Sequence, residues 1–428
     1  MDKMSLEPPT YTPSAAVPAY SVVPRPSERI LAATARLRRR APTGIFVRSN
    51  GLITIALREQ EQYAPMPSYG RHGAIYGDIG LSCTHGVQSV YLKLEGRLHL
   101  ASSDGSVADA TFFSMSRDVW RKTDDDGCGA CPGTLPFETV LPDVFVDNGQ
   151  RRALPPTYNH PSSNAQDIRV QCRYLLWVVV ERKGSKLALW KLPKKLKVPF
   201  VYRPRARPRQ PMLSSPFPFL STVKSLPEEW FQITTTMSLS PTAISAMEPI
   251  DCHLFIPVPQ TFALTDTIRF YLQLIAPSKS LEAFLYPTTP THTKHKRPKS
   301  VVVESTALPT VRVYLQRQVT IVLKGQQLTR QFSIGEGNLR SLPPSALPPS
   351  MLRSQPLGHG FSTLDYEGEV RANPDITVGH FGMSKLQIRD FITMNLSPPN
   401  PNTSPLKSLQ HPHPIRFVTD PFTDSVIH

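Results

Sequence analysis

The stretch Ile168 to Pro211 constrains the fold more than any other. Ile168, Val170, Cys172, Tyr174, Leu176, Val178 and Val180 recur at every second position. Arg169, Gln171 and Arg173 alternate with them until Leu175, Trp177 and Val179 make both faces apolar. A period of two marks a β-strand, here running from half-buried to fully buried. Glu181-Arg182-Lys183-Gly184 turns the chain into a second apolar run, Lys186 to Trp190. The segment Val201 to Pro211 then places Pro204, Pro208 and Pro211 among arginines. Proline fixes φ and removes a ladder donor, so no sheet continues through this spacing. It reads as a hinge between two β domains.

The same period recurs on both sides of the hinge. Before it, Ile53, Ile55 and Leu57 alternate, Ile75 to Cys83 follows, and Val90, Leu92, Leu94, Leu98 and Leu100 share one face. Gly96 interrupts that face where a bulge or a close backbone approach would fit. Asp104 to Gly133 reads as a loop-rich insertion around Phe112-Phe113. After the hinge come Trp230 to Leu239, Leu254 to Pro257, Ile268 to Leu274, Val311 to Leu323, Leu386 to Leu396 and a short Ile415 to Val418. Many short strands with turn signals and almost no helix predict an all-β fold of two immunoglobulin-like β-sandwiches. The expected organisation is a disordered Pro-rich tail over 1–42 and a first sandwich over 43–202. A basic hinge over 203–226 and a second sandwich over 227–428 follow, with mobile loops at 287–300 and 341–362.

Two charges break the apolar faces. Arg317 and Asp390 each lie on the buried side of a predicted strand. A buried lone charge is costly, so the expectation is that the two form an ion pair inside the second sandwich.

The chain holds 45 prolines and a net charge of +15. Eight of its cations, Lys191, Lys194, Lys195, Lys197, Arg203, Arg205, Arg207 and Arg209, fall between Trp190 and Arg209 with no acid among them. Such a run can meet an anionic membrane surface or serve as a solvated linker. Aromatics do not interleave with it as a nucleic-acid stacking surface requires, so no nucleic-acid partner is expected. Five cysteines argue against a disulfide scaffold, and the longest strongly apolar run, Tyr174 to Val180, is far short of the ~20 residues of a membrane helix. Met1-Asp2-Lys3-Met4 leads into prolines rather than an apolar signal core, so a cytoplasmic protein is expected.

Glu7-Pro8-Pro9-Thr10-Tyr11 contains a P-P-x-Y sequence, which suits a WW domain: the prolines pre-set polyproline II and the aromatic fills a second pocket. Composition alone gives about 0.14 chance matches in a chain like this. A second, Leu154-Pro155-Pro156-Thr157-Tyr158, stands just before the long strand. Little points to an enzyme. Cys128-Gly129-Ala130-Cys131 lacks a second pair to complete a zinc site, and His292, His295, His411 and His413 read as exposed. Gly335-Glu336-Gly337 reads as a turn after a strand rather than a dinucleotide loop. No cofactor or metal is called for.

Laid out in this order, the chain resembles the arrestin family, in particular the fungal arrestin-related trafficking adaptors. The likeness lies in Ala74 to Ile79, Ser89 to Gly96, Leu135-Pro136-Phe137 and Trp177 to Val180. In the second half it lies in Pro249 to Pro257, Val311 to Leu315 and Leu364 to Val370. The resemblance implies two arrestin-type sandwiches. It also implies an adaptor, peripheral to the plasma membrane or endosomes, that joins cytosolic tails of transporters or receptors to a HECT-type ubiquitin ligase. Pro8, Pro9 and Tyr11, and Pro155, Pro156 and Tyr158, would then bind the ligase WW domains. Adaptors of this kind usually carry the motif after the arrestin fold, whereas here the first motif precedes it. Two other readings stay open: an arrestin-fold endosomal scaffold without ligase recruitment, and a module binding anionic membranes through the basic run.

Overall fold

The computed structural model describes residues 42–122, 130–160, 168–183, 193–212, 219–241, 247–286, 309–343 and 361–422. They form part of one compact unit spanning residues 41–424. The fold is an all-β sandwich. The first half comprises β1 (Gly44–Ser49), β2 (Ile53–Gln60), β3 (Ser68–Tyr69), β4 (Ala74–Leu81), β5 (Val87–Ala101) and β6 (Val107–Arg121). It continues with β7 (Thr134–Val140), β8 (Val144–Asp147), β9 (Gln150–Ala153), β10 (Tyr158–His160), β11 (Arg169–Arg182) and β12 (Lys194–Tyr202). One layer runs β1-β2-β4-β7; the other runs β3-β12-β11-β5-β6, with β10 also on β11. Ile53, Ile55, Leu57, Ile75 and Ile79 from the first layer share one interior with Val90 to Leu100 and Val170 to Val180 from the second. The period-two strand read from the sequence is β11, paired along its length with β5 from Val170↔Leu100 to Val180↔Val90.

The expected insertion after Asp104 is instead a strand. β6 pairs with β5 from Ala101↔Val107 to Ser89↔Arg121. As an outer strand it stays half-exposed, so polar residues break the alternation that marks buried strands. The ladder has a bulge at Gly96, where a Cβ would stand 2.4 Å from the Phe112 ring.

The second half holds α1 (Phe219–Ser225), β13 (Trp230–Met237), β14 (Ile250–Pro257), β15 (Thr261–Ala263), β16 (Thr267–Pro277), α2 (Ser278–Leu285) and β17 (Thr310–Leu323). After these come β18 (Gln326–Ser341), β19 (Phe361–Arg371), β20 (Phe381–Met383), β21 (Leu386–Ser397) and β22 (Leu409–Val418). The sheet order is β13-β14-β16-β19-β18-β17-β21-β22-β15. Both ends of that order enclose a single interior, so the sheet folds back on itself. The fold line is β18, which pairs with β17 as far as Glu336 and with β19 from Gly337 onward. Gly335-Glu336-Gly337 is therefore not a turn after a strand but the corner within one. A Cβ on Gly335 would lie 2.1 Å from the Arg371 carbonyl oxygen, and one on Gly337 2.1 Å from that of Val313. Backbones meet there too closely for any side chain.

The expected hinge also carries more structure than its prolines indicate. Phe219 of α1 stacks on Tyr271 at 4.2 Å and meets Phe255 and Trp230, so α1 docks on the outer side of the second sandwich. Ala206 and Asp420 bond through their backbones, and Arg205 pairs with Asp420. The expected tail and most of both expected mobile loops lie outside the described residues.

Candidate functional site

Where the first half meets the second, a polar cluster sits in an otherwise apolar interior. Arg317 on β17 and Asp390 on β21 are direct cross-strand partners. Arg317 Nε donates to Asp390 Oδ1 at 2.7 Å and Nη2 to Oδ2 at 3.1 Å, and both side chains are almost completely buried. Nη2 also donates to the Val378 carbonyl oxygen at 2.7 Å. This two-pronged geometry returns to the guanidinium and carboxylate much of the hydrogen bonding that they lose by leaving water.

The third member comes from the first half. Tyr158 is 8% exposed and packs edge-on against Phe381 at 5.5 Å, with its hydroxyl in reach of the Arg317 guanidinium. Burial pushes that hydroxyl's pKa up to about 12, so it stays protonated at neutral pH. The preceding residues are held as firmly. The Tyr174 hydroxyl donates to the Pro155 carbonyl oxygen at 2.5 Å, and Thr157 exchanges hydrogen bonds with Tyr202 at 2.9 Å each way. The second P-P-x-Y therefore does not present a WW ligand in this fold. Its prolines stay within the first half, and the tyrosine ring that a WW pocket would take is already packed at the junction against Phe381. Pro8, Pro9 and Tyr11 lie outside the described residues.

Further contacts close the junction. His160 stacks on Phe332 at 4.9 Å, and Ser384 donates through its amide and hydroxyl to Asp147, both at 2.6 Å. Asp147 also pairs with Arg152. Val319, Ile321, Leu323, Met383, Leu386 and Ile388 of the second half belong to the same interior as the first sandwich.

The basic run is not one surface. Lys194, Lys195 and Lys197 lie exposed on β12, while Arg203, Arg205, Arg207 and Arg209 follow in irregular chain; Lys191 lies outside the described residues. Lys197 instead joins a group the sequence does not bring together. Its Nζ stands 5.5 Å from the centre of the Trp177 ring, and Arg97 lies 6.0 Å from the same ring. Trp177 Nε1 donates to Glu95 at 3.1 Å, and Glu95 also pairs with Lys93 and Arg97, each at 2.7 Å. Burial raises the Glu95 pKa, but hydrogen bonds from Lys93, Arg97 and Trp177 outweigh it and leave the carboxyl below its ordinary value. Lys93, Glu95 and Arg97 alternate along one face of β5, and the register adds Trp177 from β11 and Lys197 from β12.

His413 is half-buried rather than exposed, its Nε2 2.9 Å from Gln260 Oε1 and its ring against Phe231. Its strand, β22, begins at Leu409 despite two prolines. Cys128, His292 and His295 lie outside the described residues, and Cys131 is buried. Among the described residues no group of three or more metal-ligating side chains gathers, and no helix is long and apolar enough to cross a membrane.

Fold and junction define an all-β protein whose two sandwich-like halves share a buried, ion-paired seam. No protein-family model and no curated protein matches the chain.

Proposed function

We propose that the chain is a non-enzymatic, arrestin-like adaptor, cytoplasmic and peripheral to the plasma membrane or endosomes. It would hold the cytosolic tail of a transporter or receptor and recruit a HECT-type ubiquitin ligase through Pro8, Pro9 and Tyr11. The observation that carries this reading is where the arrestin-like segments fall. They occupy β4, β5, β7, β11, β14, β17 and β19, the strands that build both halves. The burial of Tyr158 supports the assignment of ligase recruitment to the first motif alone.

The test is a titration of the full chain against a panel of HECT-ligase WW domains. Micromolar binding is expected, lost in Tyr11→Ala and retained in Tyr158→Phe. If no WW domain binds, or if Tyr11→Ala binds unchanged, ligase recruitment fails and the endosomal scaffold reading replaces it.

A further inference from the structure

The β3-β12-β11-β5-β6 layer has a second face, turned away from the sandwich interior. The register puts Lys197, Trp177 and Lys93 in one row across β12, β11 and β5. On either side, Lys195 opposes Val179 and Arg173 directly opposes Arg97. Five cations thus share this face with Glu95, which is itself buried beneath Lys93 and Arg97, while Asp109, Asp118 and Glu181 on the same face are engaged by His99, Arg121 and Ser89. Arg173, Lys195 and Lys197 are exposed, and among the described residues no carboxylate pairs with them.

Glu95 answers the charges of Lys93 and Arg97 but leaves those of Arg173, Lys195 and Lys197 unanswered. Like charges directly opposite on neighbouring strands destabilise a sheet, and Arg173 against Arg97 is such a pair. An external anion would turn that repulsion into attraction. The cations do not converge on a point: they spread over three strands, each about 4.8 Å from the next. A single phosphate would satisfy one or two of them, whereas a two-dimensional anionic array would satisfy all. Trp177, half-buried among the cations, has the amphipathic ring that settles at headgroup depth.

We propose that this outer face of the first sandwich docks on an anionic membrane surface. The proposal goes beyond the adaptor reading and stands without it, since WW binding and vesicle binding are measured separately.

The experiment is co-sedimentation of the full chain with phosphatidylcholine vesicles, with and without phosphatidylserine. Binding is expected only to the anionic vesicles and should weaken as salt rises. Reversing two exposed charges, Arg173→Glu with Lys197→Glu, should lower binding about tenfold or more. Arg207→Glu with Arg209→Glu, in the hinge, should change it less than about twofold. A second measurement uses the unaltered face: nitroxide-labelled lipid should quench a fluorescence component that Trp177→Phe removes. The proposal is overturned if anionic vesicles do not bind, if only the hinge pair matters, or if lipid leaves Trp177 unquenched. Binding of soluble polyglutamate in place of vesicles would overturn it equally, since the face would then recognise an acidic peptide.

Discussion

At the scale of single residues, Arg317 and Asp390 carry the largest stakes. Asp390→Ala leaves a guanidinium buried without its counter-charge and should cost about 3–5 kcal/mol in urea unfolding. Arg317→Met with Asp390→Leu removes both charges at similar volume and should recover most of that loss. A double variant no more stable than Asp390→Ala would mean that the pair matters for its shape rather than its charge. His413 makes the junction of β22 and β13 sensitive to acid. Burial lowers its pKa below the ordinary 6.5, and the neighbouring His411 adds to the effect. The folded state therefore takes up this proton less readily than the unfolded chain. Its contribution to stability is full above about pH 6.5 and is lost as pH falls through the lowered value. Melting temperature should decline over that interval, and His413→Gln should flatten the decline.

At the scale of elements, β18 is the most exacting. Gly337→Ala would drive a methyl group into the Val313 carbonyl, so a loss of roughly 2 kcal/mol or more is expected, read as a lowered melting temperature. The same substitution at Gly325, at an open turn, should cost less: its positive φ is strained for alanine, but nothing stands within 4 Å. Strands buried on one side, such as β5, β11, β17 and β21, were legible because each alternation reports directly on one face. The Arg317–Asp390 contact was legible for the same reason, since a charge on an apolar face must find a partner. Outer strand β6 was not, because its inner face is only half-buried and polar residues break the alternation. The β8–β9 hairpin had a signal that went unused: Asn148 and Gly149, both at positive φ, are the residues a two-residue turn of this kind demands. The corner at Gly335 and Gly337 looked like a turn because glycine marks close backbone contact and chain reversal alike. Of the group around Trp177, the alternation showed only Lys93, Glu95 and Arg97 on one face of β5; Trp177 and Lys197 lie far off in sequence and join them only through pairing.

At the scale of the whole molecule, the two halves recognised in the sequence are not separable in the structure. Tyr158, His160 and Asp147 from one half are met by Phe381, Phe332 and Ser384 from the other, and six apolar side chains of the second half complete the interior of the first. A fragment ending at Pro211 should therefore expose that seam, bind a hydrophobic dye and self-associate, where the full chain does neither. The shared interior has a thermodynamic consequence as well. Heat should not melt one half and leave the other, so calorimetry should show a single transition whose calorimetric and van't Hoff enthalpies agree. Damage to either half is then felt by both. A core substitution at Ile55, deep in the first layer, should lower the melting of the β18 corner as much as that of its own sheet.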